Sequence, residues 1–184
     1  MTELNLSERL MDENSSSENS SSEYSASRVR NMLQKLFPER RLVLSQFTFF
    51  NQCGVAKPSG ETFKRGRRCY RLFDILPIAT VLALKEEGIP LCNIESVPSL
   101  IQQHAELIFQ TGAGCRLAGH GPALSLSIPG SFSDARPLES LLAEASDHFL
   151  FWSFDVGALS ETLSKLASGE SIEELSTPLI KNVA

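Results

Sequence analysis

Residues 67–94 read RRCYRLFDILPIATVLALKEEGIPLCNI, and in them a knot of positive charge runs straight into a long apolar segment. Cys69, Tyr70, Arg71, Leu72 and Phe73 alternate bulk with charge, which predicts a short strand. Asp74 then stands where a carboxylate caps a helix, and Pro77 is tolerated in a first turn. Ile75, Leu76, Ile78, Ala79, Leu82 and Ala83 follow at three- and four-residue spacings, the signature of an amphipathic helix. Glu86-Glu87-Gly88 ends it, because Gly88 accepts the left-handed conformation, and Pro90 sits where a second, short helix can begin. The unit is a basic loop, strand, helix, tight turn and helix.

Upstream, Val29, Met32, Leu33, Leu36 and Phe37 form one apolar stripe from Ser27 onward, with Arg28, Arg30, Asn31 and Lys35 facing outward and Pro38 as the stop. A second helix is predicted from Ser45, as its cap, through Cys53 to a terminating Gly54. After it, from Lys57 to Arg71, lies a basic hairpin with turns at Gly60 and Gly66, carrying Lys57, Lys64, Arg65, Arg67, Arg68 and Arg71. Two short helices followed by such a hairpin predict a winged helix-turn-helix, in which the second helix enters the major groove. Gln46, Thr48, Asn51 and Gln52 are the polar residues suited to base edges, and the hairpin cations suit phosphate. Arg71 also has a structural reading, as partner of an acid on the following helix. Phe47, Phe49 and Phe50 admit a base-stacking role, but their helical spacing favours packing at least two of them inside.

These elements resemble the DNA-binding domain of the MerR family of bacterial transcription regulators. The family carries a glycine-tyrosine-arginine-aromatic strand at the wing edge, an acidic residue opening a hydrophobic helix, and a glycine turn into another helix. Their counterparts here are Cys69 to Phe73, Asp74-Ile75-Leu76, and Gly88 to Ile94. Where the family shows threonine-leucine-arginine-tyrosine-tyrosine-glutamate, this chain shows Gln46-Phe47-Thr48-Phe49-Phe50-Asn51, so the aromatic pair is kept and the arginine is not. The linker between the first two helices is also longer. The resemblance implies a homodimer on an inverted-repeat operator, contact with RNA polymerase, and DNA contacts that include Tyr70 on the wing.

Charge is unevenly distributed. Residues 1–23 hold six acids and one Arg, residues 24–71 eleven bases and two acids, and residues 72–184 five bases and fourteen acids, giving nets of −5, +9 and −9. A concentrated basic segment in an acidic chain is the footprint of a phosphate-binding face, against the alternative of a solvated surface paired to the acidic remainder. The first 23 residues, with two serine triplets among Glu and Asn, have little to bury and read as a disordered tail. It is either a solubilising leader or a segment that competes with DNA for the basic face or takes a phosphate.

No apolar run approaches the roughly 20 residues a bilayer needs, and no basic-then-apolar leader opens the chain, so a soluble, cytoplasmic, nucleoid-associated protein is expected. The four cysteines are too dispersed for a disulfide framework or a paired metal motif. No cofactor or metal is expected, and no nucleophile motif points to an enzyme.

Farther on, Leu100, Ile101, His104, Leu107 and Ile108 predict a helix that starts near Ser96 and ends before Thr111-Gly112, at the place where MerR-like proteins carry their dimer helix. Residues 111–123, TGAGCRLAGHGPA, read as a glycine-rich connector; its Cys115 and His120 do not make a closed zinc site. Ala123 to Ile128 and Phe149 to Phe154 predict strands, Pro137 to Ala145 a helix, and Asp155 the cap of a helix carrying Leu159, Leu163 and Leu166. Trp152 is a core residue of its strand or lines a ligand pocket or dimer interface. The expected organisation is mostly α with small β: an acidic tail (1–23), a winged-helix DNA-binding domain (24–110), a linker (111–123) and a small α+β unit for dimerisation or effector binding (124–184). The expected function is a sequence-specific duplex-DNA-binding transcription regulator. The alternative is a non-enzymatic adaptor whose basic face docks an acidic protein or other anionic partner.

Overall fold

The computed structural model describes residues 22–55, 63–64, 67–90, 94–120, 123–130, 151–170 and 180–182. These are mostly helical with two small antiparallel sheets. The chain begins with strand β1 (Tyr24–Ser25) and helix α1 (Ala26–Leu36), whose cap is Ser25, the hydroxyl accepting from the Arg28 N–H at 3.3 Å. Val29, Met32 and Leu33 are buried. Phe37 returns its N–H to Leu33, and Pro38 follows, which a helix cannot continue through.

Helix α2 (Leu44–Gln52) does not start on Ser45. Val43 is the extended residue before it, and its N–H donates to Oε1 of Gln46 at 3.0 Å. A glutamine at the third helical position reaches back to the N–H of the residue before the helix, and Ser45 is left exposed inside the first turn.

The same device shifts the next boundary. Strands β2 (Phe63–Lys64) and β3 (Arg67–Tyr70) form a hairpin, and β3 also pairs with β1, Tyr24 opposite Tyr70, to give a sheet in the order β1-β3-β2. The strand stops at Tyr70 rather than Phe73, because Arg71 is the extended residue before helix α3 (Leu72–Glu86). Asp74 is the third residue of that helix, not its cap; its Oδ2 accepts from the Arg71 N–H at 2.8 Å. Pro77 therefore lies in the second turn, where its missing N–H leaves the Phe73 carbonyl without a helical partner.

Nor is α3 amphipathic. Twelve of its fifteen residues are buried, so it is the central rod of the fold rather than a surface helix. It packs against helices α4 (Val97–Thr111) and α5 (Val156–Ser168). Gly88 (φ 77°) closes it, with Ile89 donating back to Leu84 at 3.0 Å. The short helix expected after Pro90 falls on residues 91–93, outside the described residues. In α4 the buried stripe is Val97, Ile101, Ala105 and Ile108, while Leu100, His104 and Leu107 are half-buried.

The glycine-rich segment 111–123 is not a free connector. It contains strand β4 (Arg116–His120), an inner strand of a sheet ordered β5-β4-β6-β7, with β5 at Ala123–Ser127, β6 at Phe151–Asp155 and β7 at Ile180–Asn182. Gly119 pairs with Trp152, and a Cβ on it would run into the indole ring. Here glycine makes room for a neighbour rather than loosening the chain. Asp155 caps α5 as its sequence implies, Oδ1 accepting from Ala158 at 2.9 Å. The predicted helix over Pro137 to Ala145 lies outside the described residues.

One hydrophobic core runs from Tyr24 to Ala167, joining α1 and α3 to β4, β6 and α5. Arg28 Nη2 ties α1 to the far end of α5 by donating to the Ala167 carbonyl at 3.0 Å. The C-terminal strands and α5 are thus packed onto the helical part.

Candidate nucleic-acid interface

Helix α2 rests on the core through one fully inward side chain, Phe47, whose ring meets Tyr70 of β3 at 6.1 Å and Phe50 at 6.0 Å in edge-on contacts. Phe50 is half-buried against the same core. Phe49 points away and is 60% exposed. Two of the three aromatics pack inward, as helical spacing implied.

The polar candidates divide in the same way. Thr48 and Gln52 are exposed. Asn51 is half-buried and donates its Nδ2–H to the Tyr70 hydroxyl at 3.0 Å, while its Oδ1 is buried without a partner among the described residues. Gln46 has its carbonyl oxygen committed to the Val43 N–H. Asn51 and Gln46 therefore serve the fold, a use that spacing alone does not reveal. Tyr70 is 1% exposed. Its ring is core and its hydroxyl accepts from Asn51, so this wing residue is placed inward.

On the hairpin, Lys64 stands opposite Arg67 and Phe63 opposite Arg68 in the ladder. The register holds three cationic positions within two short strands, and β3 is fixed on its other side by β1. Lys57 and Arg65 lie outside the described residues. Arg71 is half-buried at the junction of hairpin and α3; its backbone N–H goes to Asp74, and its Nε is buried with no hydrogen-bond partner among the described residues. An unsatisfied guanidinium nitrogen beside a cationic hairpin suits an incoming anion.

A feature with no sequence signal is a shallow cleft of about 220 Å³ between the α1–α2 linker, α2 and the end of α3. Arg40, Arg41 and Lys85 line it together with Phe49, Phe50 and Leu82, and Arg40 is held by Glu86 at 3.1 Å. It assembles residues more than forty positions apart, which periodicity does not link.

Cys115 is fully buried, and burial raises its thiol pKa. A hydrogen bond with Thr111 works against that rise, and the nearby carboxylates of Asp155 and Glu161 add to it. Among the described residues no cluster of three or more His, Cys, Asp or Glu side chains is placed to hold a metal ion. No described helix is long and apolar enough to cross a membrane. No protein-family model matches the chain, and the search of curated proteins finds no relative.

Proposed function

We propose that the protein is a sequence-specific duplex-DNA-binding transcription regulator built on a MerR-like winged helix-turn-helix. The observation that carries this reading is the coupling of α2 to the hairpin. Phe47 and Asn51 both engage Tyr70 of β3, so a helix with Thr48, Phe49 and Gln52 facing solvent is locked beside strands that carry Lys64, Arg67 and Arg68. A helix presented outward and braced from behind by the cationic hairpin beside it is the geometry by which one element enters a major groove while the other grips flanking phosphates. In this reading Thr48 and Gln52 face base edges, Gln46 and Asn51 contribute what their structural bonds leave free, and Lys57, Lys64, Arg65, Arg67, Arg68 and Arg71 neutralise phosphates. A homodimer on an inverted repeat, working in the cytoplasm on the nucleoid and with RNA polymerase as a further partner, follows from the resemblance.

The test is selection of duplexes from a random pool by the purified protein, then affinity for the winner and for its scramble across a salt series. An enriched inverted repeat bound far more tightly than its scramble supports the proposal. Equal, weak, salt-sensitive binding to every duplex overturns it.

One observation favours the adaptor reading as runner-up. Val43, Leu44 and Phe49 are large apolar side chains that stay exposed, beside the cations Arg40, Arg41 and Lys85. Such a surface also fits an acidic, apolar protein segment.

A further inference from the structure

We propose that the cleft between α2 and the end of α3 is a docking site for the chain's own acidic segment, residues 1–13. Val43, Leu44 and Phe49, at 39%, 45% and 60% exposure, are the large apolar side chains the described surface leaves in water, and all three lie in or just before α2. The cleft beside them is lined by the cations Arg40, Arg41 and Lys85, of which Arg40 is paired with Glu86. A ligand for this surface is apolar and negatively charged.

Residues 1–13 have that composition. Leu4, Leu6, Leu10 and Met11 stand among Glu3, Glu8, Asp12 and Glu13, with Arg9 as the one base. The chain enters the described structure beside α2, because Tyr24 pairs with Tyr70, whose ring touches Phe47 of that helix. The ten residues 14–23 between segment and strand span up to about 33 Å when extended, more than the length of a nine-residue helix. Tethering on that scale gives an effective concentration in the millimolar range, so an intrinsic affinity of about 0.1 mM suffices for roughly tenfold excess of docked over open chain. A free partner of the same chemistry has no such advantage. The docked segment covers Phe49 and the outer face of α2, and so holds duplex off; this last consequence rests on the proposed DNA-reading role, whereas the docking does not.

Hydrogen exchange on the full chain tests it. The α2 amides from Phe47 to Gln52 are compared in the wild type and in the combined variant Leu4→Ser, Leu6→Ser, Leu10→Ser, Met11→Ser. Exchange in α2 is expected to be about tenfold faster in the variant, with α3 amides unchanged as the control for folding. Arg41→Glu with Lys85→Glu should release α2 to the same extent, and adding Glu8→Lys with Asp12→Lys should restore its protection. Equal α2 exchange in wild type and tail variant overturns the proposal. So does α2 protection that disappears on dilution, which assigns the surface to a second copy. Duplex affinity of the same proteins separates the two ideas: if neither binds duplex, the DNA reading fails while the exchange data still decide the docking.

Discussion

Helices α2 and α3 lie side by side in sequence order and are built on opposite principles. In α3, Ile75, Leu76 and Ile78 have no exposed surface and even Asp74 and Thr80 are fully buried, with Thr80 donating its hydroxyl to the Leu76 carbonyl at 2.9 Å. In α2 only Phe47 is fully buried, with Phe50 half-buried beside it, and polar bonds at the two ends, Gln46 to Val43 and Asn51 to Tyr70, add to their hold. The difference separates a scaffold from the surface we propose reads DNA. A helix that must present its side chains to a partner cannot also use them to bury apolar area, so its orientation has to come from one anchor and a few directional hydrogen bonds.

That contrast can be broken most severely in the scaffold. Ile75→Ala or Leu76→Ala should cost about 2–5 kcal/mol of stability through lost transfer energy and the cavity left behind, read as a shift of the denaturation midpoint. Phe49→Ala on the reading surface should change stability by no more than about 0.5 kcal/mol. Comparable losses at the two sites would mean that α2 is packed in a way the structure does not show.

The next effect lies on the hairpin. Arg67→Ala with Arg68→Ala should weaken binding to all duplexes alike and reduce the slope of log affinity against log salt by roughly 0.9 per lost phosphate contact. Unchanged salt dependence would place the phosphate face elsewhere.

A smaller effect separates the two uses of Asn51. Tyr70→Phe removes the hydroxyl that Asn51 donates to, and should cost about 1 kcal/mol of stability. Asn51→Ala should cost a similar amount and in addition relax base preference in the selected duplex by about 1–3 kcal/mol at one position. If Tyr70→Phe alters preference as much as Asn51→Ala does, Asn51 acts by positioning α2 rather than by touching a base.

The smallest expected effect is pH-dependent and belongs to Cys115. Its folded-state pKa is raised by burial, so the thiol form is favoured in the folded protein and the thiolate disfavoured. Its contribution is fully present below the unfolded-state pKa and is lost as pH rises from there through the raised folded value. Cys115→Ser should therefore flatten the alkaline fall of stability, measured by denaturation between neutral pH and pH about 10. In native protein the exposed Cys53 should react with an alkylating reagent while Cys115 does not.

Much of the local structure was legible in the sequence. The stripe of α1, its stop at Pro38, Gly88 as a helix terminator and Asp155 as the cap of α5 depend on residues within four positions of one another, and local chemistry decides such features. The helix starts at Val43 and Arg71 were displaced because two side chains at the third helical position, Gln46 and Asp74, satisfied the N–H of the residue before the helix. Backbone hydrogen bonding can be met from either end of a capping pair, and pattern does not say which.

The rest required the whole fold. Gly119 looked like connector and is strand, because its meaning lies in the indole of Trp152, thirty-three residues away. The ring of Tyr70 is core because Phe47 packs on it edge-on and Asn51 donates to its hydroxyl, neighbours nineteen or more positions away. Sequence by itself determined where charge gathers and which segments are able to be helices, since those follow from residue type and short-range spacing. Which of those residues face water, and which are spent holding one element against another, was decided by tertiary packing, since burial is a property of neighbours brought together from distant parts of the chain.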